Sequence, residues 1–196
     1  MQLLVDVLDA AGNRLGAGPV VSASSVRITR ALDGAGTIAI SCPASDERAN
    51  TLLRSERRIR AYVQDTGGIR IVGEGVIRQR KIRDGASGST LSVDGPDIMD
   101  ELKRQTVTLA RIYNQQTVSV VAADLIGLVS GWSVSVGAGI ASDVIDARYD
   151  GVSVLKALQN LAERYGYHLR LDDAGVRTLT IGALGAGNGL RLHSVA

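Results

Sequence analysis

Apolar side chains recur at every second position through much of the first half of the chain. The clearest case is the segment 26–42, where Ile38, Ile40 and Cys42 alternate with small or polar residues. The DGAG sequence at 33–36 is typical of a turn. A period of two indicates a strand with one buried face. The segment therefore predicts a β-hairpin with one buried face and one solvent-exposed face.

Further strands are predicted on both sides of this hairpin. A short helix is expected after the hairpin, with Ser45 or Asp46 as its N-cap. One long strand over 69–83 is expected to break near Gly73 and Gly75. Other strands are centred on Leu3–Leu8, on Ile59, Ala61 and Val63, and on Leu91 and Val93. Short strands separated by turn signals favour an antiparallel barrel or sandwich over a parallel α/β sheet.

After residue 96 the alternation gives way to helical spacing. The pattern predicts a helix with Pro96 at its first position and with Lys103 and Arg104 in its last turn, as the helix dipole prefers. A second helix is predicted from Thr117 as N-cap to about Gly131. This part of the chain is therefore expected to carry more helix than the first half.

The best-marked helix covers residues 151–165. Leu155, Leu158 and Ala162 share one helical face, and Gly166 stands where a C-cap is expected. The helix leads into a predicted hairpin across the DDAG turn at 172–175. Two more strands are predicted at Trp132, Val134 and Val136 and, near the end of the printed sequence, at Leu190 and Leu192.

These patterns together predict an α+β fold that is predominantly β, with barrel-like antiparallel units and short intervening helices. We expect a β-barrel domain over residues 1–96. Residues 97–196 are expected to form an α+β region that contains the start of a second barrel-like unit.

Composition excludes several classes of function. Aromatic residues make up 3% of the chain and Phe is absent, so stacking platforms for bases or sugars are not expected. The formal net charge is +2, which marks neither a nucleic-acid binder nor a membrane-surface protein. Cys42 is the only cysteine, so no intrachain disulfide is predicted. The apolar run at the N-terminus reaches Asp6 too early for a signal-peptide core, and no run is long enough for a transmembrane helix.

Residues that could carry catalysis are few. His168 lies in a predicted strand, where a surface-facing role is expected, and His193 is the only other histidine. The pair Asp172–Asp173 lies at a predicted turn, and no phosphate-binding glycine motif is present. The sequence therefore predicts no catalytic residue, no metal ligand, no cofactor and no small-molecule substrate, and the protein is predicted not to be an enzyme.

Arginines are the most informative polar residues. They recur on two segments that could pair as strands and so form one basic face. The candidate interaction surface consists of Arg57, Arg58, Arg60, Arg78, Arg80 and Arg83. The alternative is that these side chains only keep the outer face of a barrel solvated and prevent its edge from pairing with other strands.

The order of motifs resembles the N-terminal barrel of the baseplate hub and tail-associated proteins of long-tailed phages. A hairpin is followed by RIRAYV at 58–63, by GEGVI at 73–77 and by GPDIMDEL at 95–102, and the segment 149–182 is similar to the start of that family's second barrel. The resemblance implies a structural protein that forms a ring, commonly trimeric, between the tail tube and the fibre or spike. It also implies a place at the virion tail tip, after assembly in the host bacterial cytoplasm.

Within this setting the expected partners are other copies of the chain and other tail proteins, and the ring channel would offer passage to DNA. Direct membrane insertion is not expected. Two alternatives stay open at this point: a distal-tail or tube adaptor protein, and a non-catalytic fragment of a tail-associated cell-wall hydrolase.

Overall fold

The computed structural model describes residues 2–86, 88–172 and 177–183. Within these ranges, several antiparallel sheets alternate with short helices, which confirms the prediction of a predominantly β α+β fold. The elements of the first half are β1 (Gln2–Leu8), β2 (Ser25–Ala31), β3 (Gly34–Pro43), α1 (Glu47–Leu52), β4 (Arg58–Asp65), β5 (Gly68–Val76), β6 (Gln79–Gly85) and β7 (Gly88–Pro96).

The elements of the first half form two sheets around one core. One sheet has the order β1-β4-β5 and the other β2-β3-β7-β6, with every neighbouring pair antiparallel. Alternation places the apolar positions inside, as predicted for β3 and β4. The fully buried members include Val5, Val7, Ile38, Ile40, Cys42, Ile59, Ala61, Leu91 and Val93.

Glycines allow the two sheets to approach closely at one corner. A Cβ added at Gly73 would lie 2.6 Å from Ile28 Cδ1, and one at Gly75 would lie 2.5 Å from the Pro96 carbonyl oxygen. At the same corner, the Ile98 amide donates to the Glu74 carbonyl at 3.0 Å. The predicted strand break near these glycines is displaced: β5 runs on to Val76, and the chain leaves the sheet only at residues 77–78. The glycines serve sheet packing instead.

α1 follows the predicted capping pattern. Asp46 is the N-cap, and its side chain accepts a hydrogen bond from the Ala49 amide. Burial of Ala49 and of Leu53, just after the helix, anchors α1 on the core of the first half.

The elements of the second half are α2 (Asp100–Arg104), β8 (Arg111–Thr117), α3 (Val118–Ile126), β9 (Ser133–Val136), β10 (Val144–Tyr149), α4 (Val154–Glu163), β11 (His168–Leu171) and β12 (Thr178–Gly182). β10 and β8 form an antiparallel pair, and the other sheet has the order β11-β12-β9. In that sheet β12 and β9 run parallel, a pair that the antiparallel pattern did not predict. Both helices α3 and α4 pack into one apolar cluster with these strands.

Helix positions were predicted with mixed success. The helix expected over 151–165 is confirmed as α4, with Ser153 at its N-cap and Gly166 at a φ of 64° after its end. The prediction that Pro96 opens a helix is wrong, because β7 continues to Pro96 and α2 begins at Asp100. α3 begins after Thr117 as predicted but ends at Ile126, before Gly131.

Two strands of the structure were not predicted, and one predicted strand lies outside the described residues. β8 and β10 were not predicted, although Ile145, Ala147 and Tyr149 alternate with exposed residues on β10. The hairpin of β11 and β12 and the strand β9 are confirmed. The strand expected at Leu190 and Leu192 lies outside the described residues. Each half has its own buried cluster, but the proposed domain boundary at residues 96 and 97 stays a prediction.

Candidate interaction surface

The two arginine segments do not pair with each other. β4 lies between β1 and β5, whereas β6 pairs with β7 in the other sheet. The predicted pairing is therefore wrong, because the break at Ile77 and Arg78 moves the chain from one sheet to the other. The six arginines consequently lie in or directly beside strands of both sheets of the first half.

Arg60 is part of a row of charges that crosses three strands. It pairs with Asp6 on β1 and Glu74 on β5 in the strand register. Its Nε donates to Glu74 Oε2 at 2.7 Å, while Arg14 Nη2 donates to Asp6 Oδ2 at 3.0 Å. Both carboxylates are buried, and a buried charge requires a charged or hydrogen-bonding partner. Arg60 thus stabilises the β1-β4-β5 sheet of the first half.

Arg58 and Arg78 bind the first half to α2. Arg58 Nη2 lies 2.5 Å from Glu101 Oε1, and Arg78 Nη2 lies 3.7 Å from Asp100 Oδ2. Arg78 also pairs with Glu56. Both arginine side chains are largely buried, so these are internal contacts.

Glu101 extends this contact into the second half. Arg177 Nη2 lies 3.2 Å from Glu101 Oε1, and Trp132 Nε1 donates to Glu101 Oε2 at 3.1 Å. One carboxylate on α2 therefore connects β4 with the residue before β9 and the residue before β12. We call Arg58, Glu101, Trp132 and Arg177 the Glu101 junction.

The remaining arginines differ in their accessibility. Arg57 Nη1 donates to the carbonyl of Leu52 at the end of α1 at 2.8 Å, where a cation is favoured. Arg80 Nη2 donates to Asn50 Oδ1 at 2.6 Å. Arg83 is exposed and has no side-chain partner among the described residues. All seven residues of β6 are exposed at the edge of its sheet, so β6 is the most accessible part of the predicted surface.

A second junction, which sequence reasoning missed, centres on Asp33. The Asp33 amide donates to the Leu169 carbonyl at 3.1 Å, and the Leu169 amide donates to Asp33 Oδ1 at 2.6 Å. His168 Nδ1 lies 2.6 Å from Asp33 Oδ2, and Gln159 donates to the Asp33 carbonyl. All polar groups of Asp33 are therefore bound by the second half. No local sequence signal links residues 135 positions apart, so this contact required the structure.

The environment of His168 supports a structural role for this residue. Its described partner is a carboxylate that also accepts from a backbone amide, and no nucleophile lies among its hydrogen-bond partners. Burial raises the pKa of the Cys42 thiol to about 11, which keeps it neutral and unreactive near pH 7. Among the described residues, no group of three or more His, Cys, Asp or Glu side chains could hold a metal ion.

The antiparallel pair of β8 and β10 exposes a second surface, which we call the β8–β10 ribbon. Its outward face carries Ile112 on β8 and Val144 on β10, which are 61% and 53% exposed. Asp143, Asp146 and Asp150 are exposed on or beside β10. The ribbon bulges where Gln115, at a φ of 51°, donates its amide to Asp146 Oδ1 at 2.8 Å.

Comparison with known proteins identifies the fold. No protein-family model and no curated protein matches the sequence. Among solved structures, the 43 kDa tail protein of prophage MuSo2 from Shewanella oneidensis aligns with a TM-score of 0.67 at 17% identity, over 92% of this chain and 53% of that protein. A tail protein from Neisseria meningitidis MC58 aligns with a TM-score of 0.61 at 20% identity, over 93% of this chain and 51% of that protein.

The chain has the fold of phage tail proteins. It spans about half the length of these two structural relatives. A component of the E. coli type VI secretion system, described as similar to the T4 tail proteins gp27 and gp5, aligns with a TM-score of 0.50 at 16% identity, over 80% of this chain and 45% of that protein. The resemblance found in the sequence is thus confirmed at the level of the fold. Within the described ranges, no helix is long and apolar enough to cross a membrane.

Proposed function

We propose that this protein is a structural component of the tail of a phage or phage-like particle, located at the tail tip as a hub between the tail tube and the fibre or spike proteins. The observation that carries the proposal is the alignment of nearly the whole chain with tail proteins. The likeness to a secretion component that itself resembles gp27 and gp5 supports the hub position. Assembly would take place in the host bacterial cytoplasm.

In this role the protein acts through its surfaces and not through a reaction. The Glu101 and Asp33 junctions hold the two halves together. The proposed partners are further copies of the chain in a ring, trimeric in the simplest case, and neighbouring tail proteins. DNA passage through the ring channel belongs to the same proposal.

Labelling of intact particles tests the proposed location. A short affinity tag on this chain, bound by gold-labelled antibody, should mark the tail end distal to the head in negative-stain images. Untagged particles serve as the control. Gold label along the tube or at the head would contradict the hub position. Gold label in several stacked rings at the end of the tube would favour the alternative of a distal-tail or tube adaptor protein.

A separate assay addresses the hydrolase alternative. Purified chain and its His168→Ala variant are incubated with cell-wall preparations, and released fragments are measured. We expect no release by either protein, because His168 is held by Asp33 and lies in a structural contact. Release by the original chain that the His168→Ala variant lacks would overturn the non-enzymatic proposal.

A further inference from the structure

The free edge of β6 presents a row of main-chain donors and acceptors. Ser89 on β7 faces β3, because its carbonyl accepts a hydrogen bond from the Ala44 amide at 2.8 Å. Alternate residues of an antiparallel strand face the same neighbour, so Leu91 and Val93 also face β3. The residues opposite these three on β6 are Asp84, Ile82 and Arg80. Their amides and carbonyls therefore point away from β7, toward the outside of the sheet.

The chain itself occupies the edges of the other sheet of the first half. On β1, the Val5 amide donates to the Val20 carbonyl at 3.0 Å, and on β5 the Glu74 carbonyl accepts from the Ile98 amide at 3.0 Å. Among the described residues, no such backbone bond reaches the outward groups of β6. β6 is thus open to the addition of a further strand.

The side chains of β6 determine which strand fits there. Lys81 and Arg83 lie on the outer face of the sheet, and neither cation has a charged partner in the part of the chain that the structure describes. Ile82 lies on the opposite face and is 50% exposed, although its cross-strand partner Leu91 is fully buried. Neighbours on one face of a sheet interact directly. An added strand therefore fits best with acids beside Lys81 and Arg83 and an apolar residue beside Ile82.

The free charge of β6 separates the possible occupants. Asp84 accepts from Ser89 Oγ at 2.5 Å and Arg80 donates to Asn50 Oδ1 at 2.6 Å, so these two side chains have partners within the chain. Two copies joined symmetrically at Ile82 would place Lys81 opposite Arg83, and like charges in that position repel. A nucleic acid would meet the cations but leave the row of main-chain groups unused. The edge therefore favours an acidic polypeptide in extended conformation.

We propose that β6 binds an acidic, extended segment of a different protein by strand addition along residues 80–84. The segment alternates acids, which face Lys81 and Arg83, with an apolar residue that packs beside Ile82. It adds a further strand to the β2-β3-β7-β6 sheet. The cations keep other exposed strands away from this edge, and they select a partner of opposite charge. That the partner is a neighbouring tail protein rests on the hub proposal.

Two short peptides test the chemistry of the site on the full chain. One alternates glutamate and valine, and the other alternates lysine and valine. We expect the glutamate peptide to bind at least about tenfold more tightly than the lysine peptide in fluorescence anisotropy. Added salt should weaken the binding of the glutamate peptide.

Charge reversal on β6 should reverse this preference. The variant Lys81→Glu with Arg83→Glu is expected to lose the glutamate peptide and to bind the lysine peptide. The matched control is Arg27→Glu with Lys156→Glu, which changes the net charge equally on exposed residues of β2, at the opposite edge of the sheet, and of α4. This control should keep the original preference.

A proline at the free edge tests strand addition itself. Ile82→Pro removes an outward amide donor without removing a bond to β7, so it should weaken binding of the glutamate peptide at least about tenfold. Ile82→Val keeps the donor and an apolar side chain and should bind like the original chain. In amide hydrogen exchange measured by NMR, the peptide should protect the amides of Arg80, Ile82 and Asp84. The amides of Lys81 and Arg83 are already bonded to β7 and should change little.

Three outcomes would overturn the inference: equal binding of the two peptides, an unchanged preference after charge reversal, and no protection at residues 80, 82 and 84. Binding of a single-stranded oligonucleotide in place of the glutamate peptide would also overturn it. Circular dichroism confirms that each variant is folded. If gold labelling places the chain at the tail tip while the peptide does not bind, the inference fails and the hub proposal stands. If the peptide binds but the chain is absent from tails, the hub proposal fails alone.

Discussion

Single charged side chains determine which surfaces of this protein remain free. The alternating arginines on β4 were correctly predicted to face away from the core, because a period of two assigns faces of a strand. That periodicity does not tell what covers the outer face. Arg58 and Arg78 pair with Glu101 and Asp100 on α2, and Arg60 pairs with Glu74 on the neighbouring strand β5. The charge pattern therefore predicted the direction of these side chains but not their partners.

Asp33 allows the contribution of one junction to be measured. Asp33→Ala should lower the free energy of unfolding by about 2 kcal/mol, because the bonds to His168 and the Leu169 amide are lost and Ala is strained at a φ of 57°. Asp33→Gly removes the bonds without the strain, so it should lower stability less. Urea unfolding measures both. Equal stability of all three proteins would contradict the role assigned to this contact.

Gly75 tests the close approach of the two sheets. Gly75→Ala should lower the free energy of unfolding by about 2 kcal/mol or more, because the new methyl group would overlap Ile38 and lie 2.5 Å from the Pro96 carbonyl. Gly85→Ala is the control, since the nearest atom there is 3.5 Å away. That change should stay within about 0.5 kcal/mol. A Gly75→Ala variant as stable as the Gly85→Ala variant would show that the corner is less tightly packed.

At the scale of elements, the sequence predicted best where a periodic pattern and a capping signal agree. α4 has both, with its apolar face and Ser153 at the start, and it was found where expected. β8 has neither: its polar NQQ segment masks the one buried residue, Tyr113. Pro96 satisfied the rule for a first helical position, but it ends β7 because hydrogen bonding to β3 continues to that residue. Long-range pairing decided the outcome there, and a local rule could not include it.

The caps of two helices provide an internal comparison. The Ser153 side chain accepts from the Lys156 amide at 3.2 Å, whereas Thr117 precedes α3 without a side-chain cap hydrogen bond. Ser153→Ala should therefore lower the free energy of unfolding by about 1 kcal/mol, and Thr117→Ala by less than half of that. Thermal and urea unfolding of both variants check this. A larger effect at Thr117 would contradict the capping assignment.

At the scale of the whole molecule, polar contacts connect two apolar cores. The Glu101 and Asp33 junctions join the halves, and Ala35 of the first half packs against the core of the second. The sequence predicted two regions of different character, but the residues that connect them could not be identified, because each pair combines positions remote in the chain.

Glu101→Ala tests this connection. Loss of the carboxylate leaves Arg58 and Arg177 largely buried without their partner, so the free energy of unfolding should fall by about 3 kcal/mol. Glu163→Ala is the control, because its pair with Lys156 is exposed and long at 3.9 Å, and it should change stability by less than about 0.5 kcal/mol. We also expect Glu101→Ala to separate the unfolding of the halves into two transitions. A single transition with unchanged stability would contradict the junction.

The central proposal is that this chain forms part of the hub at the end of a tail. A cryo-electron microscopy map of the intact particle tests it most directly, since the described fold can be fitted into the density at each level of the tail. The proposal predicts one closed ring of this fold between the last tube ring and the fibre or spike. Density for this fold that repeats along the tube, or that is absent from the tail tip, would contradict it.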